Sequence, residues 1–209
     1  MSPGAVRAAR ADLSPEMMEA FASAPRIAWD VETTGLDWRR ERLATCQLFA
    51  ENIGVVVISL DGGKPDRLAA LLEDPAVEKV FHHAPFDLRF MIRAWKVRPV
   101  SIRCTKVASK LLEPDAPSQA HTLQQLAARH LGIALEKGPV RTSDWSVPEL
   151  TPEQLGYAAG DVLHLPALLD VLTGALHKAG LTRLYDDCCA FLPARSILEV
   201  GGYPDVFAY

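Results

Sequence analysis

Apolar and polar residues alternate through residues 26–32, the segment RIAWDVE. Ile27, Trp29 and Val31 fall on one side, because successive side chains of a strand point to opposite faces. Ala28, Asp30 and Glu32 fall on the other. The pattern predicts a strand that buries one face and presents two carboxylates on the other.

Short apolar runs and helical periodicities alternate along the rest of the chain. Residues 43–50 and 53–60 predict two strands, and the intervening Glu51-Asn52 predicts a hairpin. Ser14 followed by Pro15 is typical of a helix start, so we expect a short helix in the N-terminal segment. Further strands are predicted at 79–82 and 101–105, and helices at 65–72, 85–94, 106–112, 121–131, 151–178 and 181–198.

Three strands followed by alternating strands and helices indicate an α/β fold with a mixed sheet. A chain of 209 residues that is 49% hydrophobic is large enough for the core of one domain. We therefore expect an N-terminal segment with a short helix over residues 1–25, and a single domain with a helical C-terminal tail over 26–209. Long loops, in which binding residues commonly lie, are expected at 113–119 and 137–150.

The net charge of −4, from 22 basic and 26 acidic residues, limits the polyanions that this chain can hold. Tight binding to many phosphates needs many Lys and Arg side chains, so a nucleic-acid substrate is expected to be short or held through metal ions. Four cysteines without C-x-x-C spacing favour reduced thiols and a cytoplasmic protein. No stretch resembles a signal peptide or is long enough to span a bilayer, so no membrane partner is expected.

Asp30 and Glu32 lie roughly 6.6 Å apart along the predicted strand, since each residue rises about 3.3 Å. Like charges so close repel each other, and a pair of divalent ions about 4 Å apart would use both carboxylates. The alternative interpretation is an exposed acidic edge without a ligand.

Two further acidic residues lie on predicted helices. Asp87 falls in the first turn of a helix, where Asp is also common for purely structural reasons. Tyr157 and Asp161 are four residues apart, so they share one helical face, away from the apolar stripe that includes Ala158 and Val162. A solvated Asp161 and a half-buried Tyr157 are the alternative interpretation.

These segments, in this order, resemble the three motifs of the DEDD exonucleases, in the branch with tyrosine in the third motif that includes ribonuclease D. The motifs are WDVETTGL at residues 29–36, HHAPFDL at 82–88 and YAAGD at 157–161. The histidine branch would need His at position 156, where this chain has Gly156. CTKVASKL at 104–111 and FLPARS at 191–196 resemble the bacterial nanoRNase C subgroup, a ribonuclease D-like catalytic domain without the added helical domains.

The resemblance implies a ribonuclease H-like fold with a mixed five-stranded sheet flanked by helices. It implies that Asp30, Glu32, Asp87 and Asp161 bind two Mg²⁺ or Mn²⁺ ions, and that these four residues and Tyr157 are catalytic. The implied reaction is 3′→5′ release of nucleoside 5′-monophosphates from very short RNA, such as dinucleotides, with Tyr157 orienting the attacking water. The subgroup forms homo-oligomers, ring-like octamers among them, and the same is expected here.

Four other residues are expected to contact the substrate: Thr33, Leu36, His82 and Trp145. By resemblance Leu36 packs against the terminal base, with ordinary packing as the alternative. His82 either contacts a phosphate or fills the end of a strand, and Trp145 either anchors its loop or stacks on a base.

Two other functions fit the same residues. A DNA-directed or mixed DNA/RNA 3′→5′ exonuclease would use the same metal site, because discrimination depends on contacts to the 2′-hydroxyl that no motif here reports. The second alternative is a catalytically weak module that binds nucleic acid, although the presence of all four carboxylates and Tyr157 argues against it.

Overall fold

A mixed sheet of six strands forms the centre of the computed structural model, which describes residues 6–135 and 138–208. Its spatial order is β1-β4-β3-β2-β5-β6. β2, β5 and β6 run parallel, β3 runs antiparallel to β2 and β4, and β1 runs parallel to β4. The strands are β1 (Arg7–Arg10), β2 (Arg26–Thr33), β3 (Leu43–Ala50), β4 (Gly54–Ser59), β5 (Glu78–Phe81) and β6 (Ile102–Cys104).

A mixed sheet flanked by helices confirms the predicted fold class, but the predicted number of five strands is corrected to six. The additional strand is β1, an outer strand whose sequence RAAR shows no alternation of apolar and polar residues. Its order comes from backbone pairing with β4, from Arg7 opposite Val56 to Arg10 opposite Ser59. Residues 7–10 therefore share the sheet with the predicted domain over 26–209, whereas residues 1–5 of the predicted N-terminal segment lie outside the described residues.

Within the described part of the chain the sheet is flanked by eight α-helices, and two short 3-10 helices lie in the loops at Ser118–His121 and Pro139–Thr142. Most of the α-helices begin and end within two residues of the predicted positions. Ser14 is the N-cap of α1, and its side chain accepts a hydrogen bond from the backbone N–H of Met17. The helices are α1 (Pro15–Ala22), α2 (Asp66–Glu73), α3 (Ala84–Trp95), α4 (Thr105–Leu112), α5 (Leu123–Leu131), α6 (Pro152–Leu163), α7 (Leu165–Lys178) and α8 (Thr182–Val200).

The single helix predicted over residues 151–178 is in fact two helices, α6 and α7, separated at His164. Pro166 in the first turn of α7 has no backbone N–H, so it cannot continue the hydrogen bonds of α6. By length and composition alone, residues 152–178 are long and apolar enough to cross a bilayer. This corrects the expectation that no segment is long enough to span one. In this fold Leu168, Leu169 and Leu172 pack in the hydrophobic core instead.

The topology brings three elements to one end of the sheet. α6 packs across β2, β3 and β4, while β5 runs parallel beside β2 and leads directly into α3. The carboxyl ends of adjacent parallel strands are where ligands commonly bind in α/β sheets. The second half of β2, the first turn of α3 and the middle of α6 therefore face one region.

Candidate active site

Asp30, Glu32 and Asp161 form an acidic cluster, since one carboxylate oxygen of each lies within 4.8 Å of the others. The two-residue spacing on β2 places Asp30 and Glu32 on one face, and α6 lies over that face with Asp161. Two unit charges at that separation repel by roughly 3.5 kcal/mol at an effective dielectric constant of about 20. The cluster therefore favours cations. Three of the four acidic residues predicted from the sequence therefore lie within 4.8 Å of one another in the structure.

Asp87, the fourth predicted acid, lies behind the cluster in the first turn of α3, with only 2% of its surface exposed. Burial raises the pKa of its carboxyl well above the ordinary value, and the charge of Asp30 raises it further. Hydrogen bonds from the backbone of Val31 and of Asp87 itself act in the opposite direction. A contact with Val31 places this carboxyl against β2, between the positions of Asp30 and Glu32.

The turn from β5 into α3 explains how Asp87 reaches β2. His83 adopts a left-handed conformation, with φ 67° and ψ 44°, and Pro85 follows in the first turn of the helix. That bend reverses the chain at the end of β5, so the first turn of α3 faces the neighbouring strand. The N-terminal end of a helix carries a partial positive charge, which stabilises a carboxylate there.

The ligand chemistry of this cluster suits hard divalent cations such as Mg²⁺ or Mn²⁺. All of the clustered ligand atoms are carboxylate oxygens, the type that these ions prefer. Within the described residues, the buried Oδ1 of Asp87 has no hydrogen-bond partner. Since a buried acceptor without a partner is costly, a nearby cation would offset that cost.

Tyr157 lies one helical turn before Asp161 on α6, as the sequence predicts, and is partly buried in the cleft. Burial raises the pKa of its phenol, and the charges of Asp161 and Glu32 raise it further. The hydroxyl therefore keeps its proton and acts as a hydrogen-bond donor rather than as a base. The ring packs against Trp145, with centroids 5.8 Å apart and planes tilted by 50°.

The loop that carries Trp145 is tied to the start of α6. Thr151 and Gln154 form a reciprocal capping box at this helix start. Gln154 Nε2 also donates to Ser143 Oγ at 3.0 Å and to the backbone carbonyl of Asp144 at 2.9 Å. These bonds hold the loop over the helix, so Trp145 is only 3% exposed and supports Tyr157 from the side.

A cleft of about 610 Å³ brings together every residue that the sequence analysis assigned to the site. Leu36 is 84% exposed at this cleft, which excludes ordinary core packing for its side chain. Thr33 Oγ1 donates to the backbone carbonyl of Gly35 at 2.7 Å and so helps shape the turn before Leu36. The nine residues are Asp30, Glu32, Thr33, Leu36, His82, Asp87, Trp145, Tyr157 and Asp161.

Two kinds of residue at the site were missed by the sequence analysis. Lys106 on α4 and Arg141 in the loop before Trp145 add positive charge to the cleft. Gln47 on β3 donates from Nε2 to Asp30 Oδ2 at 2.5 Å. A polar residue within the apolar run LATCQLFA was the available signal for Gln47. Lys106 lies within the segment CTKVASKL that carries part of the resemblance, whereas Arg141 has no distinguishing pattern.

His82 is held by a neighbouring hydroxyl at the rim of the cleft. Its Nδ1 lies 2.9 Å from Thr105 Oγ1, and that hydroxyl donates to the backbone carbonyl of Phe81 at 3.3 Å. Because the threonine proton is used in this way, Nδ1 carries the hydrogen that Thr105 accepts. Nε2 is then the acceptor nitrogen of the ring.

Comparison with known proteins identifies similar sequences over most of the chain. A family model described as 3′-5′ exonuclease matches residues 8–177. Ribonuclease D of Gluconacetobacter diazotrophicus is 30% identical over 166 residues, which is 78% of this chain and 41% of that protein. DNA polymerase I of Aquifex aeolicus is 28% identical over 161 residues, 77% of this chain and 26% of that protein. The chain thus spans less than half the length of these curated relatives.

Solved structures match over nearly the whole chain. NrnC of Brucella melitensis is 34% identical and superposes with a TM-score of 0.88, covering 98% of both chains. That protein has also been solved bound to pGG and with bound Mg²⁺. These matches confirm the predicted ribonuclease H-like exonuclease fold.

Proposed function

This chain belongs to the 3′-5′ exonuclease family, as a ribonuclease D-like member similar to NrnC, and from that premise we propose that it is a metal-dependent 3′→5′ exoribonuclease. It releases nucleoside 5′-monophosphates from the 3′ end of very short RNA. The observation that carries the proposal is the approach of Asp30, Glu32 and Asp161 to within 4.8 Å, with Asp87 buried behind them and Tyr157 alongside.

Asp30, Glu32, Asp87 and Asp161 are proposed to hold two divalent ions, Mg²⁺ or Mn²⁺. Bound ions of this kind lower the pKa of water and stabilise the charge on a departing oxygen. These carboxylates come from β2, α3 and α6, three elements that the fold brings to one cleft. Their mutual repulsion is what the cations relieve.

Tyr157 is proposed to orient the attacking water through its hydroxyl. Its raised pKa keeps the proton on the phenol, so the group donates a hydrogen bond and does not remove a proton. Trp145 packs against the tyrosine ring and limits its rotation. At the other side of the cleft, Leu36 offers an exposed apolar side chain to the terminal base, and Thr33 and His82 are proposed to contact the sugar and phosphate.

Very short RNA is favoured over a long strand for two reasons. A cleft of about 610 Å³ has the size of a small-molecule site, and a net charge of −4 provides no extended cationic surface. The bound pGG of the similar NrnC supports the same substrate class. We further propose a cytoplasmic homo-oligomer, a ring-like octamer by analogy with the nanoRNase C subgroup, whose neighbouring subunits would narrow access to each cleft.

The test is a length series of labelled RNA with a free 3′ end, in Mg²⁺ or Mn²⁺. We expect wild type to release mononucleotides most rapidly from two-nucleotide RNA, and Asp30→Ala to release none. Asp115→Asn, a change at an exposed acidic residue outside the cleft, serves as the matched control and should behave as wild type. Equal release by wild type and Asp30→Ala would refute the assigned site and favour a module that only binds nucleic acid. Sedimentation of the purified protein tests the oligomer separately.

A DNA-directed or mixed 3′→5′ exonuclease is the second candidate, and the similarity to DNA polymerase I of Aquifex aeolicus favours it. Matched DNA strands of two, five and twenty nucleotides discriminate between the two substrates. A strong preference for long DNA would replace the short-RNA assignment while leaving the metal site unchanged.

A further inference from the structure

Two fully buried polar residues on β3 face the acidic pair on β2. In the register of these strands Gln47 is opposite Asp30, and Thr45 is opposite Glu32. Residues directly opposite each other in neighbouring strands share one face of the sheet. Both Gln47 and Thr45 have 0% of their surface exposed, and burial of polar groups is costly unless their hydrogen bonds are satisfied.

The two side chains form a directed chain of hydrogen bonds that ends on Asp30. Thr45 Oγ1 donates to Gln47 Oε1 at 3.1 Å, and Gln47 Nε2 donates to Asp30 Oδ2 at 2.5 Å. Because the amide oxygen is held by Thr45, the amide nitrogen must face the carboxylate. Thr45 therefore determines which end of the Gln47 amide meets Asp30.

Position in the sheet makes this arrangement rigid. β3 is hydrogen-bonded to β2 on one side and to β4 on the other, so it cannot shift without breaking two ladders. α6 covers the same strands. Gln47 thus approaches Asp30 from a fixed backbone.

We propose that Gln47 is a positioning residue for divalent cations, which holds the Asp30 carboxylate in one orientation, and that Thr45 positions Gln47 in turn. The inference rests on the proposed metal site. A hydrogen bond to Oδ2 restricts the rotation of the Asp30 carboxylate. Groups that orient a metal ligand in this way typically change metal affinity or activity by about 10–100-fold when removed.

Four variants separate positioning from packing. Gln47→Met keeps the size of the side chain without its donor, and Gln47→Glu keeps the shape but adds a negative charge beside Asp30. Thr45→Val removes the donor that orients the amide at nearly constant volume. Cys46→Ala is the matched control, since Cys46 is equally buried on the same strand but points to the opposite face.

The measurement is Mn²⁺ affinity without substrate, by electron paramagnetic resonance or calorimetry, well below the Tm of each variant. We expect binding about 10–100-fold weaker for Gln47→Met and a smaller loss for Thr45→Val. Gln47→Glu should weaken binding less than Gln47→Met does, because the added negative charge attracts the cation. Cys46→Ala should bind as wild type does. Affinities within twofold of wild type for the Gln47 and Thr45 variants overturn the proposal, as do losses that Cys46→Ala shares. If Gln47→Met does not fold, Thr45→Val decides by the same criterion.

Nucleotide release by wild type distinguishes the two proposals. Wild type that binds Mn²⁺ but releases no nucleotide from short RNA refutes the proposed activity, while a weaker-binding Gln47→Met still supports the positioning role. Wild type that degrades RNA while Gln47→Met binds Mn²⁺ normally refutes the positioning role alone.

Discussion

Replacement of Asp87 by Asn tests whether a cation compensates the buried carboxyl. Asp87 is 2% exposed, its Oδ1 has no hydrogen-bond partner in the described residues, and the nearby charge of Asp30 opposes its ionisation. Asparagine has the same shape without the charge. Asp87→Asn should therefore stabilise the metal-free protein and abolish most of its response to metal.

The expected magnitude follows from the burial of this group. A buried acceptor without a partner costs about 1–3 kcal/mol, and a charged one costs more. Asparagine keeps an oxygen at this place but removes the charge, so the free energy of unfolding of metal-free Asp87→Asn should exceed that of wild type by an amount of the same order. For a chain of this size 1 kcal/mol corresponds to about 2–4 °C, so the Tm should rise by about 2–12 °C. Mn²⁺ at about 100 times its Kd should add about 2.7 kcal/mol to wild type and much less to the variant.

The pH dependence of this difference has a definite sign. Because the pKa of Asp87 is raised in the folded protein, the unfolded chain releases its proton at a lower pH than the folded chain does. Metal-free wild type therefore loses stability relative to Asp87→Asn as pH rises above about 4, the ordinary pKa of Asp.

Thermal unfolding in EDTA and in Mn²⁺, followed for wild type, Asp87→Asn and the control Asp115→Asn, measures both effects. Two results would refute the reasoning: Asp87→Asn less stable than wild type in EDTA, or a gain from Mn²⁺ equal to that of wild type. The first would mean that the carboxyl is well satisfied in the fold, and the second that it does not bind the ion.

Three further predictions concern Tyr157, Leu36 and Lys79. Tyr157→Phe should lower kcat by about 100-fold while Mn²⁺ affinity stays unchanged, because only the hydroxyl that orients the water is removed. Leu36→Ala should raise KM for two-nucleotide RNA by about tenfold, since burying part of a leucine side chain against a base is worth about 1–2 kcal/mol. The Tm should stay unchanged because the side chain is exposed. Burial lowers the pKa of Lys79 from 10.5 to about 8. Removal of this buried charge in Lys79→Met should therefore stabilise the protein at pH 7 by about 2–3 kcal/mol. The net gain is smaller by the contribution of the hydrogen bond from Nζ to the carbonyl of Asp74, which the variant loses. Between pH 8 and 10.5 only the unfolded chain keeps that proton, so the Tm of wild type should rise there and that of Lys79→Met should not; equal pH profiles would contradict this.

Elements with strong periodicity were predicted closely. β3 has the predicted bounds of 43–50, and the Thr151 cap begins α6 where expected, because alternation and capping are local signals. The strand β1 was missed because RAAR has no periodic pattern and owes its order to pairing with β4. The break at His164 was missed because the apolar stripe continues through it, although Pro166 was the available signal.

The faces of the candidate site were also predictable, but its contacts were not. Spacings of two on a strand and four on a helix placed Asp30 with Glu32, and Tyr157 with Asp161. No spacing reports that Gln47 lies opposite Asp30, since strand register depends on how β2 and β3 pair. Nor does it report that Trp145 is buried against Tyr157.

By itself, the sequence determined most of the secondary structure apart from β1 and the break at His164. It also determined the faces on which the acidic residues lie and the order of the motifs, because each depends on neighbours a few residues away. Tertiary structure alone decided that Asp161 lies within 4.8 Å of Asp30 and Glu32, that Asp87 is buried, and that Gln47 meets Asp30. Those features depend on the packing of helices against a sheet and on strand register. Both bring together residues far apart in the chain, where local periodicity carries no information.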